Sequence, residues 1–170
     1  MYINNYSYRY PAISSSKILW IIIFFFVICI LYIIKQRNQI AKEIHDLANN
    51  AIEMTPEEFL KMRNTSFGGK GRKSYALTLN YPGVYILHNK TKDLYYVGQG
   101  TKVLNRVYAH FTGRGNGDVY ADYKYGDKFT IRTIALKNSG FSTLNDLERY
   151  CISYYNAYYK GYNKTRGNKR

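Results

Sequence analysis

Between Ile18 and Ile34 the chain reads ILWIIIFFFVICILYII, seventeen apolar residues with no charge and no proline. With Ser14, Ser15 and Ser16 added, a helix over this run approaches the roughly 20 residues that cross about 30 Å of hydrocarbon. Lys17 stands at one end and Lys35 with Arg37 at the other. Trp20 and Tyr32 lie near the two ends, where aromatic side chains settle at a bilayer interface. A buried core helix would need a second such segment to pack around it, and the sequence has none. A cleaved signal peptide would need small residues where KQRNQ follows. The run therefore reads as a retained single-pass transmembrane helix, residues 18–34, with the lipid bilayer as partner. Three basic residues follow it (Lys35, Arg37, Lys42) and two precede it (Arg9, Lys17), a bias that slightly favours a cytoplasmic C-terminal side.

The 170 residues carry 25 Lys+Arg against 11 Asp+Glu, a formal net charge of +14. That charge is uneven: residues 1–69 hold a net +2 and residues 70–170 a net +12. So strong a basic excess calls for an anionic partner, nucleic acid or acidic lipid. An apolar fraction of 46% excludes a disordered basic tail, and the length leaves no room for a second full catalytic domain. The two cysteines, Cys29 and Cys151, and the three histidines, His45, His88 and His110, lack zinc-ligand spacing, and no disulfide is expected.

Four regions follow: a flank over 1–17, the transmembrane helix over 18–34, a helical and Gly-rich linker over 35–80, and a domain over 81–170. In the linker, Ile40, Ile44, Leu47, Ala51 and Ile52 recur at helical spacing and predict an amphipathic helix over 36–53. Thr55-Pro56-Glu57-Glu58 is a helix start, with a Thr cap, an early proline and Glu three residues after the cap; that helix runs to about Arg63. NTSFGGKGRKS then reads as flexible linker, because its spacing fails the phosphate-loop pattern.

From Tyr81 the pattern turns regular. PGVYILHN and LYYVG, separated by KTKD, predict a β-hairpin. Thr101 to Phe111 predicts a helix with Leu104, Val107 and Phe111 on one face, followed by the polar stretch GRGNGD. Lys128 to Leu136 alternates as a strand, with Phe129, Ile131 and Thr133 on one face and Thr130, Arg132 and Ile134 on the other. A last helix starts at Thr143 with Asp146 at its third position, and Leu144, Leu147, Cys151, Tyr154 and Tyr158 form its apolar stripe. The expected fold class is α/β in the α+β sense, a small three-stranded antiparallel sheet flanked by helices.

Four places in this domain could carry chemistry. Tyr85 and Tyr96, eleven residues apart across a hairpin, share a sheet face if the connecting loop is even-numbered. On position alone they are equally strand-filling tyrosines. Arg106 and His110 are four apart on one helix face, suited to a phosphate or to a solvated Arg and a capping His. Glu148, at the edge of the last apolar stripe, is one of only six acidic residues in the +12 region. It must pair with a base or hold a hard cation.

Together these residues resemble the GIY-YIG nuclease family. Gly83-Val84-Tyr85, ten residues, then Tyr96-Val97-Gly98 stand for its two tripeptides. Arg106 and His110 on the next helix, Glu148 on a later one and Asn163 beyond it fall in the family's order. Val replaces Ile in both tripeptides. The resemblance implies hydrolysis of phosphodiester bonds, with DNA the favoured substrate, assisted by one divalent metal, Mg²⁺ or Mn²⁺, held by Glu148. It casts Tyr85 as general base or orienter of the attacking water, its pKa lowered by Arg106 and the metal. Arg106 would neutralise phosphoryl charge, Tyr96 and His110 would complete the network, and Asn163 would tie the C-terminal turn to the site. Gly83 and Gly98 would allow close backbone approach. Lys124, Lys128, Arg132, Lys160, Lys164 and Arg166, interleaved with tyrosines, suit contacts to a nucleic-acid backbone. The expected function is a membrane-tethered, metal-dependent endonuclease; the alternative is a non-catalytic adaptor binding nucleic acid or anionic lipid at the membrane.

Overall fold

The computed structural model describes residues 15–66 and 74–167. Most of the Gly-rich segment read as a linker, residues 67–73, lies outside them, as do the first 14 residues. Helix α1 spans Ser15–Ala48, and its apolar part is long enough to cross a membrane, with none of its most apolar stretch buried. The chain divides into two compact units at Gln36/Arg37, so the polar end of α1 belongs with the rest of the fold.

In the second unit, α2 (Pro56–Asn64) and a short α3 (Tyr75–Thr78) precede the hairpin of β1 (Gly83–Asn89) and β2 (Leu94–Gly100). Helices α4 (Val103–Phe111) and α5 (Gly117–Lys124), strand β3 (Phe129–Ala135), a 3₁₀ turn (Leu136–Asn138) and α6 (Leu144–Tyr154) follow. The sheet is antiparallel throughout, in the order β2-β1-β3, as expected for this fold class. The unbroken apolar run of GVYIL marks the central strand, buried on both faces. The alternation in β3 buries Phe129, Ile131 and Thr133 on one face only. That face carries the larger core, built with α1, α2 and α4; Val84, Ile86 and Val97 on the opposite face pack against α6.

The segment 35–80 contributes heavily to the larger core. Ile40, Ile44 and Leu47 of α1 are buried at the helical spacing the sequence shows, and Phe59 and Met62 of α2 join them. The predicted Thr55 cap forms in full: its hydroxyl accepts the Glu58 N–H at 3.2 Å, while its own N–H donates to the Glu58 carboxylate at 2.8 Å. The Thr133 hydroxyl donates to the Leu47 carbonyl at 2.8 Å, joining the end of α1 to β3.

Three local expectations change. Helix α1 stops at Ala48 rather than 53, because Asn50 takes a left-handed conformation (φ 55°) and the chain then runs beside β3. There Met54 exchanges both backbone hydrogen bonds with Ile131, at 3.0 and 2.7 Å. The stretch after α4 contains a helix, α5, started by Asn116, whose side chain accepts from the N–H groups of Asp118 and Val119. Helix α6 buries Leu147, Glu148, Cys151 and Ile152; Tyr154 is 70% exposed, and Tyr158 lies past the helix end.

If 37–66 is core, shaving it must cost as much as shaving a sheet residue. Phe59→Ala is expected to lower the unfolding free energy of the full chain by about 3–5 kcal/mol, and Tyr125→Ala, 88% exposed, by less than about 0.5 kcal/mol. Denaturant unfolding in detergent, followed by near-UV circular dichroism, measures both. Equal small effects would show that α2 is only appended.

Candidate active site

Register builds the site. Tyr85 pairs with Gly98 and Tyr96 with Leu87 across the hairpin, so the two tyrosines are diagonal neighbours on one face, ring centroids 6.2 Å apart. The Tyr85 ring lies across Gly98: a Cβ there would overlap the phenol, which is why the second tripeptide ends in glycine. A Cβ at Gly83 would likewise collide with the Ile134 carbonyl of the neighbouring strand.

Helix α4 lays His110 against both rings, 5.3 Å from Tyr85 and 4.8 Å from Tyr96. His110 Nε2 and the Tyr85 hydroxyl are 2.9 Å apart. The other ring nitrogen, Nδ1, accepts the Asn116 backbone N–H at 2.9 Å. In the neutral ring the proton must therefore sit on Nε2, which donates to Tyr85. Burial, with the Arg106 charge adding to it, pushes the His110 pKa down to about 4, so the ring is neutral at pH 7.

Arg106 arches over Gly100, where a Cβ would meet its Cγ at 2.7 Å, and is exposed. Its positive charge favours the ionised form of the Tyr85 phenol. Burial raises the pKa of Tyr85 far above the ordinary 10, the neighbouring Tyr96 adds to this, and Arg106 opposes it only in part. Burial also raises Tyr96, against the pull of the Arg106 charge. His110 thus donates to Tyr85, whose ring lies beside that of Tyr96. Tyr85 is wholly buried, whereas Tyr96 is partly exposed. The expected lowering of the Tyr85 pKa by Arg106 is present but outweighed by burial.

Glu148 comes from α6 on the other side of the sheet. It is 8% exposed, and its Oε2 accepts the Gln99 side-chain amide at 2.9 Å. Gln99 also donates to the Asn145 carbonyl oxygen, one turn before Glu148, at 2.6 Å. Its charge reaches round β2 to Tyr96, whose pKa it helps to raise. The groups at this spot suit a hard cation: a buried carboxylate beside carboxamide oxygens. Among the described residues no three His, Cys, Asp or Glu cluster, so such an ion would keep most of its water, as Mg²⁺ does on one carboxylate.

Asn163 does not touch these groups directly. Its Oδ1 accepts the Val97 N–H at 2.8 Å and its Nδ2 donates to the Val97 carbonyl at 2.7 Å, so one side chain stands in for a fourth strand beside β2.

The six basic residues nominated for backbone contact meet different neighbours. Lys124, Lys128 and Lys160 are exposed. Arg132 lies on the sheet face opposite Tyr85 and pairs with Glu53 at 3.3 Å. Lys164 pairs with Asp118 at 3.1 Å, and Arg166 lies against the rings of Tyr158 and Tyr159. Tyr162, read from sequence as a stacking surface, is buried instead, its hydroxyl donating to Asp122 at 2.6 Å and accepting from Asn89. Sequence reading missed Gln99, Asn145 and Asn116. Alternation puts Gln99 on the α6 face, and the three-residue spacing of Asn145 and Glu148 was the available signal for the pair.

Residues 81–163, just under half of the chain, match the family model of the GIY-YIG catalytic domain, so that segment is a GIY-YIG domain. No curated protein and no solved structure matches the chain. A domain of this family implies nuclease activity on a nucleic-acid substrate, and GIY-YIG nucleases generally use divalent metals.

The buried neutral His110 sets a pH dependence of stability. The unfolded chain takes up this proton near pH 6.5 and the folded chain only near pH 4. Stability therefore falls as pH drops through that window, by at most about 1.4 kcal/mol per pH unit. From pH 6.5 to 4.5 the Tm of the wild type is expected to fall more steeply than that of His110→Gln. Parallel curves would mean that the ring is not held neutral.

Proposed function

We propose that the chain is a membrane-tethered endonuclease that hydrolyses phosphodiester bonds, DNA being the first substrate to test, with a divalent ion held at Glu148. One observation carries the reading: within the matched segment, Tyr85, Tyr96, Arg106 and His110 converge at one end of the hairpin, and a nearly buried carboxylate lies round the edge strand from them. A nearly buried carboxylate in a region of net charge +12 favours catalysis over a binding-only adaptor.

In this reading Arg106, the exposed cation of the group, binds the scissile phosphate and offsets charge as it develops on the phosphoryl oxygens. Tyr96, the partly exposed phenol of the pair, meets the attacking water. Tyr85 and His110 pack beside that ring, His110 as a neutral donor to Tyr85. Arg106 is the charge that favours proton loss from either phenol. Tyr85, wholly buried, positions the group, which sharpens the choice between base and orienter. A divalent ion, when bound, supplies Lewis-acid stabilisation of the phosphate and the leaving oxygen. Gln99 and Asn145 hold the Glu148 carboxylate in place for it. Asn163 acts at one remove, by locking the Val97 backbone between Tyr96 and Gly98.

The test uses full-length protein in detergent with supercoiled plasmid and Mg²⁺. Nicking is expected with the wild type, with loss of at least about 100-fold in Glu148→Gln, in Arg106→Gln and on adding EDTA. Nicking by Glu148→Gln at the wild-type rate would sink the assignment of that carboxylate.

The tether rests on α1, whose most apolar stretch is unburied. Membranes washed in alkaline sodium carbonate are expected to retain the full chain; its release into the supernatant would refute a spanning helix.

A further inference from the structure

Away from the Tyr85 group, two arginines lie against one tyrosine ring. Arg63, near the end of α2, places its guanidinium carbon 3.7 Å from the centroid of the Tyr108 ring, and Arg114, just past α4, lies 5.3 Å from the same centroid. The two charges are thus no more than about 9 Å apart. Arg63 is half-buried; its Nη1 donates to Asn64 at 2.7 Å, but its Nε is buried with no hydrogen-bond partner. Among the described residues neither arginine forms an ion pair with a carboxylate. The sequence supplies few candidates, since residues 59–92 and 94–117 contain no Asp or Glu. Burial lowers the Arg63 pKa and the Arg114 charge adds to that effect, the mark of a like-charge pair. Cation–π contact returns only about 0.5–2 kcal/mol per cation, whereas an anion set between two guanidiniums would satisfy both charges and the orphan Nε.

We propose that Arg63 and Arg114 form a second phosphate subsite, which takes a backbone phosphate of the nucleic acid a few nucleotides from the scissile one. This rests on the nuclease reading and extends its grip beyond the family segment, because Arg63 lies outside residues 81–163. The subsite borrows the helix that carries Arg106 and His110. Tyr108 lies between Arg106 and His110 on α4, and Gly115 and Asn116, which follow Arg114, pack on the His110 ring. Two residues turn a helix by about 200°, so Tyr108 points away from Arg106, across a helix about 10–12 Å thick. A strand that rounds α4 from Arg106 would meet the pair there, and α2 would serve as a clamp on it.

Binding of a labelled 30-base-pair DNA duplex by the full chain in detergent and EDTA, from 50 to 200 mM salt, tests this. Each of Arg63→Gln and Arg114→Gln is expected to reduce the slope of log K against log salt by about 0.9, and the double variant by about twice that. Arg63→Lys should keep the slope, and Lys61→Gln, exposed on the same helix, should leave it unchanged. Arg114 is exposed, so its variant keeps the test open even if Arg63→Gln lowers Tm. Wild-type slopes in both Arg→Gln variants, with plasmid nicking by the wild type intact, would overturn the subsite and leave the nuclease reading standing. A wild type that neither binds nor nicks would overturn both. Unchanged duplex binding with lost adhesion to phosphatidylserine vesicles would assign the pair to a membrane instead, which also overturns the proposal.

Discussion

The site depends on one close contact, the phenol of Tyr85 lying across the backbone of Gly98. Because position 98 has no side chain, the ring can fold down onto the neighbouring strand and be buried entirely. Once it is there, His110 must approach as a neutral donor, since a charged imidazole would be buried beside Arg106. The Asn116 N–H enforces that tautomer from the other side of the ring. The surroundings of Tyr96 are then set by groups that never reach solvent. The fold supports this with a central strand buried on both faces, so Tyr85 has little freedom to shift.

The parts of this structure legible in the sequence are those decided by near neighbours. The hairpin follows from two β-favouring runs around KTKD, the faces of β3 from strict alternation, and the start of α2 from a four-residue capping pattern. Tyr85, Tyr96, Arg106 and His110 meet because period two and period 3.6 bring them together once the hairpin and α4 exist. What escaped was tertiary. Nothing local in Ile40, Ile44, Leu47 or Phe59 says that they pack under a sheet beginning at residue 83. Helix α5 buries one residue, Val119, and so gives almost no periodic signal. On α6, tyrosine counted as apolar shifted the stripe towards Tyr154, whereas the inward position is held by Ile152 and by the charged Glu148. A buried carboxylate breaks the pattern that locates buried faces, and here that break falls on the residue assigned to the metal.

The integration of residues 37–66 changes where the functional unit begins. A cut before the matched segment would remove Leu47 and Phe59 from the larger core and would take away the backbone that pairs with Ile131. The polar end of α1 is therefore part of the folded body that carries the matched segment.

The two outer strands of the sheet are closed by unlike devices, Met54 on β3 and the Asn163 amide with Tyr162 on β2. An exposed strand edge is a template for pairing with another chain. Molecules held in the plane of a membrane meet one another far more often, and in fewer orientations, than molecules in solution. In that setting a sheet whose outer strands are both engaged at mid-length has less free edge to offer a second molecule, and on β2 that cover comes from the Asn163 carboxamide together with the Tyr162 N–H. Hydrolysis of the Asn163 amide to a carboxylate would replace its donor with a second acceptor facing the Val97 carbonyl. The edge would then be covered by the Tyr162 N–H alone, so one amide decides how much of β2 a neighbouring molecule can reach.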